Sequence, residues 1–177
     1  GALPQREGVD FGVIDRKLAV AGQLIRLSGA DGPVDEIFLP LYGPHQAANA
    51  AQALAAAEAF LGLKALHPDV VREGFARVHV PGRLELVRRS PPVVLDAAHN
   101  PHGALAAAAG IIEAFAFTPL IGVVAIMADK DARIRHHLLN LVGHLQDVVH
   151  AIVDEIRLPF ALKLAKRSAD DIRQRVA

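Results

Sequence analysis

Leu120 to Met127 reads Leu-Ile-Gly-Val-Val-Ala-Ile-Met, without one polar side chain. A run of this length is too short to span a bilayer, and it has the makeup of a strand covered on both faces, as in a parallel sheet. Its surroundings agree. Leu84 to Arg88 and Val93 to Asp96 read as strands split by Ser90-Pro91-Pro92, and Asn100-Pro101 opens a helical pattern that lasts to about Phe115. After the apolar run, Ala132 to Leu145 is helical, Val148 to Asp154 strand-like and Ala169 to Val176 helical. Strand and helix in alternation indicate an α/β sheet with crossover connections.

The residues before Pro81-Gly82 follow another plan. Val9 to Ile14 is a short β-like run, and Lys17 to Leu27 alternates up to the turn cluster Ser28-Gly29-Ala30-Asp31-Gly32-Pro33. Val34 to Leu41 then completes an expected hairpin. From His45 the pattern is helical to Leu61, with Gly62 as its stop, and a second helix is expected over Pro68 to Val78. The expected boundary lies near Val80 to Gly82, giving domains 1–80 and 81–177.

Charge and composition exclude several classes. Nineteen basic and nineteen acidic residues cancel, so no long-range field recruits nucleic acid or an anionic membrane. The chain has no cysteine, hence no disulfide, thiolate metal site or thiol nucleophile, which suits a reducing cytoplasm. The stretch Ala47 to Leu63 is interrupted by Asn49, Gln52 and Glu58 and reads as an alanine-rich amphipathic helix, so no membrane span is expected. His136, His137, His144 and His150 form no HExxH pattern and read as a solvated face; no metal ligand is assigned. No G-x-S-x-G elbow and no G-x-x-x-x-G-K-[ST] loop occurs in the sequence.

Four segments have the residue types of a site. In Val93 to Ala104 an apolar strand ends in Asp96, and Asn100 caps a helix whose first position is Pro101. The carboxyl edge of a parallel sheet is where α/β folds bind ligands, so Asp96 either accepts from paired hydroxyls such as a ribose diol or bonds turn amides. His99 lies beside a helix N-terminus, where phosphate is favoured, or is a solvated loop residue. In Pro81-Gly82-Arg83-Leu84-Glu85, Arg83 either forks onto a phosphate or pairs with Glu85. In Gly43 to Ala50, His45 and Asn49 share a helix face; the Asn49 amide matches an adenine edge or is a polar-face residue. In Met127-Ala128-Asp129-Lys130-Asp131, Asp129 and Lys130 either orient an amino-acid group or form a solvated turn.

These four segments, in this order, resemble the Mur ligase superfamily, and within it the folylpolyglutamate/dihydrofolate synthases. The resemblance rests on Leu39 to Ala50, Pro81 to Glu85, Leu95 to Ala104 and Met127 to Asp131, within Val9 to Asp131. It implies an α/β fold: the hairpin and helix that end a Mur-ligase central domain, then an incomplete Rossmann-like, mostly parallel C-terminal domain. It implies an ATP- and magnesium-dependent ligase, with L-glutamate, folate or dihydropteroate, and ATP as partners. By resemblance Asn49 contacts adenine, Arg83 reaches the nucleotide, Asp96 holds the ribose, and His99 stands near the phosphates and the incoming glutamate as the catalytic residue. His45, Asn100, Asp129 and Lys130 are further candidates. The family's glycine-rich loop and magnesium ligands precede the matching region, so this chain alone is expected to give no turnover. Ala97 stands where the family usually has glycine, and after Asp131 the expected proline-arginine turn is not recognisable in Asp147 to Lys163. Two other readings are another Mur-type amide ligase and a non-catalytic nucleotide-binding remnant.

Overall fold

The computed structural model describes residues 4–62, 65–116, 120–127 and 148–156. The chain forms two compact units, Gly1–Ala98 with Ala106–Ala116 and His99–Leu105 with Phe117–Ala177.

The first unit begins with an antiparallel sheet of β1 (Gly12–Ala19), β2 (Gly22–Gly29) and β3 (Gly32–Leu39), in that order. Along β2, Gln23, Ile25 and Leu27 are buried while Leu24 and Arg26 are exposed, as the two-residue period of a strand requires when one face is covered. On β3 the register slips between the pairs Ile25↔Ile37 and Leu27↔Val34, and Glu36 sits at φ +57°. That bulge explains how Val34 and Ile37, three positions apart, both reach the core.

The sequence suggested one alternating strand from Lys17 to Leu27. The chain instead reverses at Val20–Ala21, with Ala21 at φ +65°. Glycine or asparagine normally marks such a position, so an alanine there gives no local signal. Gly22, the next residue, is required by packing: a Cβ on it would lie 2.3 Å from the Leu39 carbonyl oxygen.

Helix α1 (Pro44–Phe60) packs on β1 and β2 through Ala47, Ala50, Ala51 and Leu54, the i, i+3, i+4, i+7 face of an amphipathic helix. Its alanines let the helix lie close to the strands. It ends as expected, with Leu61 as cap and Gly62 at φ +62°. Helix α2 (Pro68–Ala76) covers β3 and ends just short of the expected Val78; the His67 imidazole caps it by accepting from the Asp69 amide at 3.3 Å. The core joins Ile25, Leu27, Ile37 and Leu39 to Leu54 and Val71.

The same face of α1 carries Glu58, only 5% exposed. One of its carboxylate oxygens accepts from the Ala30 amide at 3.0 Å and the other from the Leu66 amide at 3.1 Å. It thereby fastens the β2–β3 turn to the connection between the two helices.

Beyond Gly82, β4 (Glu85–Arg89) and β5 (Pro92–Leu95) form an antiparallel hairpin around a cis Ser90–Pro91 bond. Asp96 therefore follows an antiparallel strand, and a half-exposed one, where the sequence suggested a buried strand at the edge of a parallel sheet. The reason is length: a connection of Ser90 and Pro91 alone is far too short for a parallel crossover. Helix α3 (Pro101–Ala114) follows and contributes residues to both units.

In the second unit, β6 (Leu120–Met127) and β7 (Val148–Ile156) pair in parallel from Leu120↔Val148 to Met127↔Ile156, as the apolar run implied. The α/β class expected from the sequence is the observed one. The expected helices over Ala132 to Leu145 and Ala169 to Val176 lie outside the described residues. No described helix is long and apolar enough to cross a membrane.

Two substitutions test these assignments by urea unfolding at unchanged m. Glu58→Ala takes the acceptor from the part-buried Ala30 and Leu66 amides and should lower stability by about 1–2 kcal/mol. Ala21→Gly relieves a left-handed alanine and should raise stability by about 0.5–1 kcal/mol, net of the freedom glycine adds to the unfolded chain.

Candidate nucleotide site

Gly43 is the N-cap of α1, at φ +93°, with Pro44 at the first helical position. A Cβ at residue 43 would meet the His45 ring at 2.7 Å and the Gly110 Cα at 3.7 Å. Glycine is thus needed there twice over, for its dihedral angle and for the imidazole that lies across it. The Gly43 carbonyl accepts from the Gln46 amide and from the side-chain Nε2 of Gln23, each at 3.1 Å. Gln23 is fully buried, and its Oε1 accepts from Arg16 at 3.2 Å. Arg16 in turn forks onto both carboxylate oxygens of Glu113 on α3. The Tyr42 ring packs at a tilt on Phe115, centroids 4.8 Å apart.

The Pro81–Glu85 segment is tied to the residues after β5. The Ala97 amide donates to the Gly82 carbonyl at 2.8 Å, and the Leu84 amide donates to Asp96 Oδ2 at 3.0 Å. The other Asp96 oxygen accepts from the Ala98 amide at 2.7 Å. Gly82 turns the chain at φ +69°, and Leu84 takes φ +46° with its side chain buried; a Cβ on Gly110 would strike Leu84 Cδ1 at 2.5 Å. A strained leucine held by a carboxylate and a glycine notch fixes where Arg83 projects. Ala97, in the position where the family usually has glycine, is not among the residues with positive φ.

Arg83 does not pair with Glu85. The Glu85 carboxylate accepts from the Gly82 amide at 2.8 Å, and no ion pair holds Arg83 among the described residues. Asp96 does bond turn amides, the simpler of its two readings. A carboxylate has about four lone-pair sites, however, so two bonds leave it able to accept more.

His45 lies within electrostatic reach of both Asp96 and Arg83. Burial holds its pKa below the ordinary 6.5; the Asp96 carboxylate pulls it upward and the Arg83 guanidinium pushes it down. Its Nδ1 is buried with no hydrogen-bond partner among the described residues. Its Nε2 meets Gln46 Nε2 at 3.1 Å, and Gln46 Oε1 accepts from Asn49 Nδ2 at 3.2 Å. Gln46 is 7% exposed while Asn49 is exposed. Of the residues singled out by sequence, the first unit thus links Asn49, His45, Arg83 and Asp96 around the start of α1. His99 and Asn100 belong to the second unit, where Asn100 Oδ1 caps α3 by accepting from the Gly103 amide at 2.7 Å, as read from the sequence. Asp129 and Lys130 lie outside the described residues.

Sequence reasoning missed Gln46, Gln23 and the Arg16–Glu113 pair. Gln23 had a signal, since it occupies the inward phase of Gln23-Ile25-Leu27. Gln46 had one too, adjacent to His45 and three before Asn49 on a helix. Arg16 and Glu113 are 97 positions apart, and no local pattern joins them.

The sequence model of the family described as "Mur ligase, glutamate ligase domain" matches residues 82–176. The chain belongs to this family. The match continues well past Asp131, where motifs legible by eye stop. A dihydrofolate synthase/folylpolyglutamate synthase of Mycobacterium tuberculosis is 50% identical over 129 residues, which are 71% of this chain and 26% of that protein. A folylpolyglutamate synthase of Lacticaseibacillus casei is 34% identical over 124 residues, 69% of this chain and 29% of that protein. The solved folylpolyglutamate synthase of Mycobacterium tuberculosis complexed with ADP and AMPPCP superposes with a TM-score of 0.75 at 38% identity, covering 94% of this chain and 43% of that one. The chain spans between a quarter and a third of the length of these two curated relatives.

The His45 surroundings set a pH test. The unfolded chain binds the imidazole proton near pH 6.5 and the folded chain only at lower pH. The His45 contribution to stability is therefore complete above 6.5, falls as pH drops from 6.5 toward the native value, and levels off below it. Subtracting the stability–pH curve of His45→Gln from that of the parent isolates this window. By NMR, Arg83→Gln should raise the native His45 midpoint and Asp96→Asn should lower it.

Proposed function

We propose that this chain supplies the adenine- and ribose-binding side of an ATP-dependent ligase that joins L-glutamate to a folate or dihydropteroate carboxylate through an acyl phosphate. One observation carries the reading: an exposed amide, a guanidinium without an ion-pair partner among the described residues, and a backbone-anchored carboxylate are all linked to the half-buried imidazole of His45. Those three groups suit the three parts of a nucleotide.

In this reading Asn49 offers donor and acceptor to the adenine edge. Asp96 accepts from the ribose hydroxyls with the lone pairs left over by Leu84 and Ala98. Arg83 meets phosphate oxygens, which its planar fork fits better than a lysine would. His99 acts at the phosphates and the incoming glutamate; this role rests on the likeness of the Asp96 to Ala104 motif. ATP supplies the phosphoryl group that activates the carboxylate, and magnesium accompanies it on ligands outside this chain. We place the domain boundary at 80–81, so that 1–80 end a central ATP-binding domain and 81–177 form the glutamate-ligase domain. The family match beginning at residue 82 supports that boundary. A cytoplasmic setting completes the proposal.

The test is titration of AMPPCP into the isotope-labelled chain. Saturable shifts at Asn49, Arg83 and Asp96 are expected. Asp96→Ala should weaken binding by about ten-fold or more, as loss of a charged acceptor does. Asn49→Ala should weaken it by about three- to ten-fold with the fold intact, since Asn49 is exposed. No saturable shift, or shifts only elsewhere, would overturn the reading. With ATP, dihydropteroate and glutamate, the chain by itself should show no turnover.

A further inference from the structure

Gln46 is buried, uncharged and unassigned, yet it touches both polar side chains at the start of α1. A carboxamide has a donor end and an acceptor end. Whatever it presents to His45 Nε2, it must present the opposite to Asn49.

With Nε2 unprotonated, Gln46 turns its NH2 toward the imidazole and its oxygen toward Asn49. Asn49 then uses one N–H inward and keeps its carbonyl oxygen free. With a proton on Nε2, Gln46 must answer with its oxygen and turn its NH2 to Asn49. Asn49 then spends its carbonyl inward and shows its NH2 outward. The heavy atoms occupy the same positions in both states, because oxygen and NH2 of each amide simply exchange places. In the observed orientation the Gln46 NH2 faces Nε2, which puts the proton of the neutral ring on Nδ1, so Nε2 gains its own proton when the ring becomes cationic.

We infer that Gln46 is a positioning residue: its buried amide transmits the protonation of His45 Nε2 to Asn49 and so decides whether Asn49 offers a carbonyl or an NH2 to the nucleotide base. The inference rests on the proposed contact of Asn49 with adenine. It deepens that contact into a rule of base selection. A free carbonyl accepts from the 6-amino group of adenine and repels the 6-oxo group of hypoxanthine; the flipped state reverses this. The charged groups facing the imidazole are Asp96 and Arg83, which pull its proton affinity in opposite directions, and burial places the switch below pH 6.5.

The full chain, labelled with 15N and free of nucleotide, is titrated by NMR from about pH 8 to about pH 5. The His45 ring nitrogens and the side-chain amides of Gln46 and Asn49 should move with one shared midpoint. Gln46→Glu has acceptors only, so it should raise the His45 midpoint by about one unit or more and leave the Asn49 amide still as pH changes. Gln46→Met keeps the bulk without the polarity; there His45 should still titrate while Asn49 does not follow. Gln46→Met decides the matter even if the buried glutamate fails to fold. An Asn49 amide that ignores His45 in the parent chain, or follows it in Gln46→Met, overturns the relay. A second arm compares ATP with ITP, which differ at the 6-position. The preference for ATP should shrink by about five-fold or more across the His45 midpoint. An unchanged preference with an intact relay overturns the base contact and leaves the relay standing. The two failures are therefore distinct.

Discussion

The geometry of the candidate site depends on the absence of a side chain at residue 43. The Gly43 carbonyl receives the Gln46 backbone amide and the buried side-chain amide of Gln23, while its Cα lies under the His45 imidazole and against Gly110. A Cβ would have to displace the imidazole, the α3 glycine or the helix start. Because one bare backbone position serves sheet, helix and ring together, His45 and Gln46 enter the site with little freedom left to lose. Groups already ordered before a ligand arrives bind with less loss of side-chain entropy.

Asp96 shows how one carboxylate can hold a turn and still keep lone pairs open. Its bonds to the Leu84 and Ala98 amides hold the Pro81–Glu85 turn, including a leucine in a conformation that leucine resists. The same bonds fix the direction of its remaining lone pairs. Turn chemistry and ligand binding are therefore compatible at this carboxylate. Arg83 is the reverse case: Glu85 is committed to a backbone amide, which leaves the guanidinium to act at a distance on His45.

Much of this was legible in the sequence, wherever the cause is local. Pro44 and Gly62 mark the ends of α1, Asn100-Pro101 opens α3, and Leu120 to Met127 declares a strand in a parallel pair. The four motif segments singled out Asn49, Arg83 and Asp96, which the structure links through His45 and Gln46, although the motif alone gave no sheet direction for Asp96. What escaped has causes that no window of sequence contains. The Val20–Ala21 reversal uses an alanine where glycine is customary, and Gly22 is required by the backbone of Leu39 rather than by its neighbours in the chain. Gln46 was passed over because its importance lies in what its two ends must say to different partners.

The fork from Arg16 to Glu113 has a bearing on the order in which the molecule assembles. The β1–β3 meander closes through turns of a few residues and can form early at small entropic expense. The Arg16–Glu113 contact joins positions 97 residues apart, and the logarithmic part of that loop closure alone amounts to about 4 kcal/mol. Through Gln23 this same contact reaches the Gly43 carbonyl. The surroundings of His45 are accordingly completed only with α3 in place, since Gly110 and the Arg16–Glu113 pair are among the neighbours of the first turn of α1 and its sheet.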